Sequence, residues 1–263
     1  MAEPQPSPEF RVTSLIYRLV SETVTDDFGR AEPLDGDLDG WAFRLEDGIL
    51  SATPSEEFRS RESAKAHLEE RLREWSQAAF LSGSRFQIRF DYERSDVEAI
   101  DPPPNHVFVF PESARLTVSM GTPTIVLGHR TYPAPDPAFR RTPLTDLLTE
   151  RLRALEDGRA ELPAVAYLVL SALEQSFGDR RDCATALAID LRVLDNLGRL
   201  SAQFDPQIGR KAQGDPKPLT STELAWLKAV AVRLVRRVGE QGAGGPLPQI
   251  TMADLPRLEP ASG

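Results

Sequence analysis

The chain has one cysteine, Cys183, among 263 residues. A lone thiol can form neither an internal disulfide nor a Cys-rich zinc site, so both devices that staple small secreted domains are excluded. Histidine is almost as scarce. His67, His106 and His129 stand apart in sequence, and none has the His-Glu-x-x-His spacing that places two imidazoles on one helix face for zinc. Long apolar runs are also missing. The longest, residues 162–173, falls well short of the about 20 residues a bilayer span requires. The polar, Pro-rich residues 1–9 carry no apolar signal segment, and a reducing cytoplasm is the expected location. Glycine is missing where phosphate chemistry needs it: Gly242, Gly244 and Gly245 follow no strand, so there is no dinucleotide-binding turn. No Gly-x-Ser-x-Gly turn presents a nucleophile. The sequence therefore assigns no catalytic residue and no cofactor.

What is present is the pattern of a folded chain. Apolar residues make up 40% and recur with regular period, as a buried core requires. The net charge is −9, and it is unevenly placed. Residues 1–135 carry 14 basic and 23 acidic side chains, whereas residues 136–263 carry 17 of each. The first half is expected to repel nucleic acid and anionic membranes, which leaves a polyanion only the second half.

Along the first half, residues 10–21 read as a strand with imperfect alternation. Residues 23–39, acidic and interrupted by Gly29, Pro33 and Gly36, read as a loop. Two short apolar stretches, 41–45 and 49–53, flank Glu46-Asp47-Gly48, a hairpin signal. Over residues 60–80 the period changes. Ala64, Leu68, Leu72, Trp75 and Ala79 form one stripe opposite charged residues, an amphipathic helix that closes near Gly83. Phe86, Ile88, Phe90 and Tyr92 then alternate with polar neighbours as a half-buried antiparallel strand. Residues 107–110, 115–120 and 124–127 are three more strand candidates. The Pro-rich stretch 132–137 suits neither a ladder nor a helix and reads as a linker.

The second half reads as helical. Thr142 followed by Pro143 is an N-cap with proline at the first helical position, and Leu144, Leu147, Leu148, Leu152 and Leu155 follow as a stripe that ends at Gly158. Pro163 opens a helix that is apolar nearly all round, the expected central helix. Two short helices are expected over 180–188 and 191–200, and a polar loop over 205–218. A last helix opens at Thr220 with Glu223 completing a capping box, and Gly239 is its expected stop. The Gly/Pro-rich tail, 241–263, is expected to be irregular, with Ile250, Met252 and Leu255 able to dock on the body.

Three groups of residues could carry binding. The helix pair over 180–197 has the small and apolar spacing of a helix-turn-helix, with Ala188 in the turn where glycine is common. Arg180, Arg181, Arg192 and Asn196 could contact nucleic acid, Arg192 and Asn196 by reading bases. Asp190 and Asp195 would face phosphates there and repel them, so packing alone is the favoured reading of the pair. Asp35, Asp37, Asp39 and Glu46 match the acidic positions of a calcium loop, with Gly40 at its sharp turn. No helix precedes Asp35, which favours a chance match on an acidic loop. Arg210, Lys211 and Lys217 could form an anion-binding lip beside the last helix, against the simpler reading of a solvated loop. Cys183 falls on an inner helix face and reads as a small apolar residue.

Three stretches resemble a group of bacterial proteins with no assigned activity: Arg44-Leu45-Glu46-Asp47-Gly48-Ile49-Leu50, residues 167–200, and residues 247–256. The resemblance implies a bacterial origin and a two-part layout, and it carries no site residues. Helical nucleases of bacterial defence systems depend on an Arg and a His a few residues apart, and the second half has no histidine. The expected architecture is α+β. An antiparallel sheet with one amphipathic helix spans residues 8–135, a helical domain spans 140–240, and an irregular tail spans 241–263. The expected function is non-enzymatic interaction or regulation with a protein partner. Nucleic-acid binding through the helix pair is the alternative, and an enzyme without a local motif is the third.

Overall fold

The computed structural model describes residues 10–21, 26–28, 31–82, 87–100, 127–128, 131–202 and 218–258. The strands expected over 107–110 and 115–120, and the basic residues Arg210, Lys211 and Lys217, lie outside the described residues. The architecture is α+β, and the chain divides into two units, Met1–Pro135 and Asp136–Gly263.

The first unit is built on β1 (Phe10–Ser21), β3 (Leu34–Asp37), β4 (Trp41–Glu46), β5 (Ile49–Pro54) and β6 (Ile88–Ala99). They form an antiparallel sheet in the order β3-β4-β5-β1-β6. A separate parallel pair joins β2 (Asp26–Asp27) to β7 (Leu127–Gly128). Successive strand side chains point to opposite faces, and β4 shows the consequence. Trp41, Phe43 and Leu45 are buried, while Ala42, Arg44 and Glu46 are exposed. The helix α1 (Arg61–Phe80), N-capped by the Ser60 side chain, covers the apolar face with Ala64, Leu68, Leu72, Trp75 and Ala79. Both buried indoles have acceptors, as a desolvated N–H requires. Trp75 Nε1 donates to the Pro133 carbonyl at 2.7 Å, and Trp41 Nε1 donates to His67 Nδ1 at 2.9 Å. The other face of the sheet is polar. Arg11–Glu98, Arg18–Glu93 and Arg44–Asp35 pair there across neighbouring strands.

Two expectations are corrected in this unit. Residues 34–37 form an edge strand rather than part of a loop. Gly36 lies opposite Phe43, and a Cβ at Gly36 would stand 2.8 Å from the Phe43 ring. The glycine that looked like a loop signal thus makes room for an aromatic neighbour. Residues 132 and 133, read as linker, are tied into the first unit. Tyr132 is buried, stacks on Phe28 at 5.6 Å, and its hydroxyl accepts from the Gly48 N–H at 2.9 Å.

The second unit contains α2 (Pro143–Glu156), α3 (Leu162–Phe177), α4 (Arg180–Ala186), α5 (Leu191–Ala202), α6 (Ser221–Gly242) and a 3-10 turn, Met252–Asp254. Thr142 caps α2 ahead of Pro143, and Thr220 with Glu223 forms the capping box of α6. The apolar α3 packs against α2, α4, α5 and α6, so its all-round hydrophobicity reflects a central position. Gly239 does not stop α6, which continues to Gly242. Its role is steric. Phe139 is fully buried against it, and a Cβ at Gly239 would stand 2.1 Å from the Phe139 ring. The Arg140 N–H, donating to the Gly239 carbonyl at 3.0 Å, fixes the approach.

Glycine inside a helix ordinarily costs about 1 kcal/mol relative to alanine, so Gly239→Ala would stabilise an unobstructed helix. The expected outcome here has the opposite sign: overpacking against Phe139 lowers stability by about 1–3 kcal/mol, measured by urea denaturation. Phe139→Leu in the same chain should recover part of the loss.

Candidate functional site

The residues singled out as a helix pair converge with the C-terminal segment at one place in the second unit. Asp179 caps α4 by accepting from the Arg181 and Asp182 backbone N–H groups. Cys183 is fully buried on the inner face, where burial raises the proton affinity of its thiol, assisted by nearby Glu174 and Asp182. That is the setting of an apolar packing residue rather than a nucleophile. Between α4 and α5 the chain turns through Ala188 at φ +48°, a left-handed conformation that an L-residue with a Cβ adopts at a cost. Asp190 then accepts from the Arg192 backbone N–H at 2.9 Å, which occupies the carboxylate at the start of α5.

The C-terminal segment lies on this turn. The Ile250 N–H donates to the Ala188 carbonyl at 2.9 Å, and the Asp190 N–H donates to the Ile250 carbonyl at 2.8 Å, a parallel bridge between Ile189 and Ile250. Both isoleucines are buried. One residue pair upstream, the fully buried Arg237 of α6 donates from Nη2 to the Pro248 carbonyl at 2.7 Å. Docking by Ile250 and Leu255 follows the expectation from sequence. Met252 is half-buried, and its sulfur lies 4.0 Å from Asn196 Nδ2.

Two open surface hollows flank α4 and α5. One, of about 730 Å³, is lined by Arg181, Ala184, Thr185, the 188–192 turn and Gln249. The other, of about 670 Å³, is lined by Glu174, 178–181, Leu191 and Asp195. Arg181 and Leu191 border both. The four residues proposed for nucleic acid meet different fates. Arg180 is a clamp. Its guanidinium reaches Glu174 of α3 at 2.8 Å and Asp195 of α5 at 3.3 Å. It crosses Gly198, where a Cβ would stand 2.6 Å from Nη2. Burial opposes its charge, but the hydrogen bonds to Glu174 and Asp195 outweigh burial and raise its proton affinity. Arg192 folds back on Asp190 at 2.6 Å. Asn196 donates to the Arg192 carbonyl beneath the Met252 sulfur. Only Arg181 faces the hollows without a role in these pairings. Arg181 and Arg192 line the first hollow and Arg180 and Arg181 the second, while Asn196 lines neither.

Two carboxylates of the site, Asp179 and Asp190, are held below the ordinary aspartate range. A hydrogen bond from the Arg192 side chain, followed by one from its backbone N–H, lowers Asp190. The Asp182 and Arg181 N–H groups lower Asp179. Such groups are poor proton donors or acceptors near neutral pH, because catalytic carboxylates are tuned in the opposite direction.

The calcium-loop match is corrected. Asp35 and Asp37 lie on β3, and Glu46 ends β4. Arg44 binds both Asp35 and Glu46, Asp39 pairs with Arg71, and an Asp37 carboxylate oxygen accepts from the Gly40 N–H at 3.1 Å. The side chains serve a hairpin and cannot wrap one ion. Among the described residues no group of three or more His, Cys, Asp or Glu could hold a metal. No helix among them is long and apolar enough to cross a membrane. His67 is exposed at the rim of α1 and serves as acceptor for Trp41, while His106 and His129 lie outside the described residues. Arg237, a candidate from sequence only as a cation beside an anion-binding lip, instead holds the Pro248 carbonyl; this contact and the place of Gln249 at the hollow need the tail's path to be recognised. The signal available was Ile250 within an otherwise polar tail. No protein-family model, no curated protein and no solved structure matches the chain.

Arg180→Ala removes two partly exposed ion pairs at once. The expected loss is about 1 kcal/mol of stability in the second unit, measured by thermal or urea unfolding. The pH dependence is also signed. Asp179 and Asp190 are lowered in the fold. The stability they contribute is therefore present above the ordinary aspartate range and lost as pH falls through their lower folded values, below about pH 4. Unfolding midpoints should fall in that acid window, and Asp179→Asn with Asp190→Asn should flatten the acid slope.

Proposed function

We propose that the chain is a non-enzymatic interaction protein of the bacterial cytoplasm whose helical unit takes a protein partner on the α4–α5 face. The observation that carries this reading is the charge pairing around the hollows. Arg180 and Arg192 are already neutralised by Glu174, Asp195 and Asp190, and the aliphatic side chains Ala184, Ala188, Ile189 and Leu191 line the hollow that Arg192 and Asp190 border. An aliphatic floor with a paired polar rim suits a protein surface, which offers side chains of both signs. A phosphate backbone would have to displace three carboxylates and then bear their repulsion. The lowered carboxylates favour binding over acid–base chemistry. The resemblance of residues 44–50, 167–200 and 247–256 to bacterial proteins without assigned activity supports the bacterial origin.

Two measurements test the proposal. Labelled DNA and RNA titrated with the full chain at about 50 and about 200 mM salt should show no salt-sensitive anisotropy change at tens of micromolar protein, since phosphate-driven affinity falls steeply over that range. A photo-crosslinking residue in place of Thr185, expressed in the source cell, should give a discrete protein adduct that Ala184→Arg abolishes. Micromolar, salt-sensitive nucleic-acid binding lost on Arg181→Glu would replace this reading with the nucleic-acid one.

A further inference from the structure

We infer that the C-terminal segment, residues 248–258, is an exchangeable arm, and that its second seat is the same groove on another copy of this chain. The argument begins at the end of α6. The Ala243 N–H donates to the Gly239 carbonyl at 3.2 Å, and the Gly244 N–H donates to the Gln241 carbonyl at 3.0 Å. Gly244 then takes φ +72°. This left-handed residue reverses the chain, so that Pro248 returns alongside Arg237 of the same helix. Between Gly244 and Pro248 stand Gly245, Pro246 and Leu247. A Cβ added at Gly244 or at Gly245 would meet nothing within 4 Å. Gly244, Gly245 and Pro246 are exposed and Leu247 is half-buried, so the return path is set by the Gly244 torsion with little packing along the hinge.

Every anchor of the arm lies beyond that hinge. Arg237 holds the Pro248 carbonyl, the Ala188 carbonyl and the Asp190 N–H hold Ile250, and Ile250 and Leu255 are buried. The hydrogen-bond partners of Pro248 and Ile250 belong to α6 or to the α4–α5 turn, and Asn196 of α5 faces Met252, so a second copy offers the identical set. Exchange replaces no contact and changes only the hinge, the condition under which swapped dimers form at low cost. The short linker keeps the arm at a millimolar effective concentration near its own groove, so the closed monomer dominates at micromolar protein. A residue at position 244 that disfavours the left-handed region shifts this balance without touching the groove. Gly244→Val should favour the opened hinge about ten-fold. In the exchanged form Gln249 of the other copy lines the hollow of about 730 Å³, so the site becomes composite. The inference stands apart from the partner-binding reading, since it requires no other protein.

Disulfide trapping in the full chain decides it, in a Cys183→Ala background. A chain carrying both Ile189→Cys and Ile250→Cys should cross-link internally, because these positions pair in the bridge. A mixture of one chain carrying only Ile189→Cys and another carrying only Ile250→Cys cross-links only by exchange. The expected result is a covalent dimer in the mixture that grows with concentration, rises about ten-fold with Gly244→Val, and becomes predominant when residues 244–246 are deleted. Internal cross-linking of the double variant, with monomers alone in all three mixtures, overturns the proposal. Failure of the double variant itself to cross-link overturns it equally, because the seat would then be wrong. Neither outcome bears on the Thr185 adduct, which reports the partner site separately.

Discussion

The organisation of the helical unit depends on one small piece of backbone pairing, the bridge between Ile189 and Ile250. It satisfies the Ile250 N–H and carbonyl in a segment whose own regular structure is the short 3-10 turn Met252–Asp254, and buried backbone groups left unpaired would be costly. It also fixes the turn that aims α4 at α5. Once that turn is set, Asp190 meets the start of α5, Arg180 reaches both Glu174 and Asp195 across Gly198, and Cys183 is sealed beneath. Arg237 secures the same segment from α6, at the cost of a fully buried guanidinium. Glu240 lies beside it, 3.1 Å from Nε. Burial alone would raise the Glu240 carboxyl, and the hydrogen bond from Arg233 with the other neighbouring arginines more than offsets this and holds it low.

The sheet unit solves a different problem. Its five strands have one apolar face to bury and one helix to cover it, so the aromatic residues concentrate under α1. Trp75 lies 5.1 Å from Phe43 and 5.0 Å from Phe90, ring centre to ring centre. The opposite face carries cross-strand arginine–carboxylate pairs. Each exposed pair contributes little to stability, but together they let an acidic unit place its cations and anions side by side. The excess of carboxylates in this half of the sequence is therefore not a single negative patch on the sheet. Arg44 alone engages Asp35 and Glu46.

How much of this was legible in the sequence follows from the range of each interaction. Helix α1, the caps at Thr142 and Thr220, and the alternation of β1 and β4 depend on neighbours within a few residues, and the sequence displays them. The Asp47-Gly48 turn was legible for the same reason. The Asp39-Gly40 turn carries the same dipeptide and also takes positive φ at both residues, but Gly36 interrupts the strand pattern before it, so the stretch reads from sequence as an acidic loop. Gly36 and Gly239 look like punctuation until Phe43 and Phe139 are seen pressing on them. The candidate site was half visible. The helix pair and its charges were in view. The fates of Arg180, Arg192 and Asn196 were not, because their partners Glu174, Asp195 and Met252 are fixed by packing rather than by spacing.

Backbone strain separates the candidate site from the rest of the described chain. Three non-glycine residues take positive φ: Asp39, Asp47 and Ala188. The two aspartates sit in two-residue hairpin turns, each followed by glycine, where that residue type tolerates the left-handed region and the turn demands it. Ala188 has neither excuse. Glycine would remove the cost, and no side-chain hydrogen bond compensates for it. Such a conformation persists only where its surroundings over-determine it. Here they do so through the Ala188 N–H donating to the Thr185 carbonyl, the Ile189 N–H donating to the Ala184 carbonyl, and the Ile250 N–H donating to the Ala188 carbonyl. Two of these restraints come from α4, and the third comes from the arm. The strained turn and the arm are therefore energetically coupled: a loss of the Ile250 contact that is not replaced by an identical one weakens the hold on the turn that orients α5. The hollow of about 730 Å³ is lined by both, by the 188–192 turn and by Gln249 of the arm.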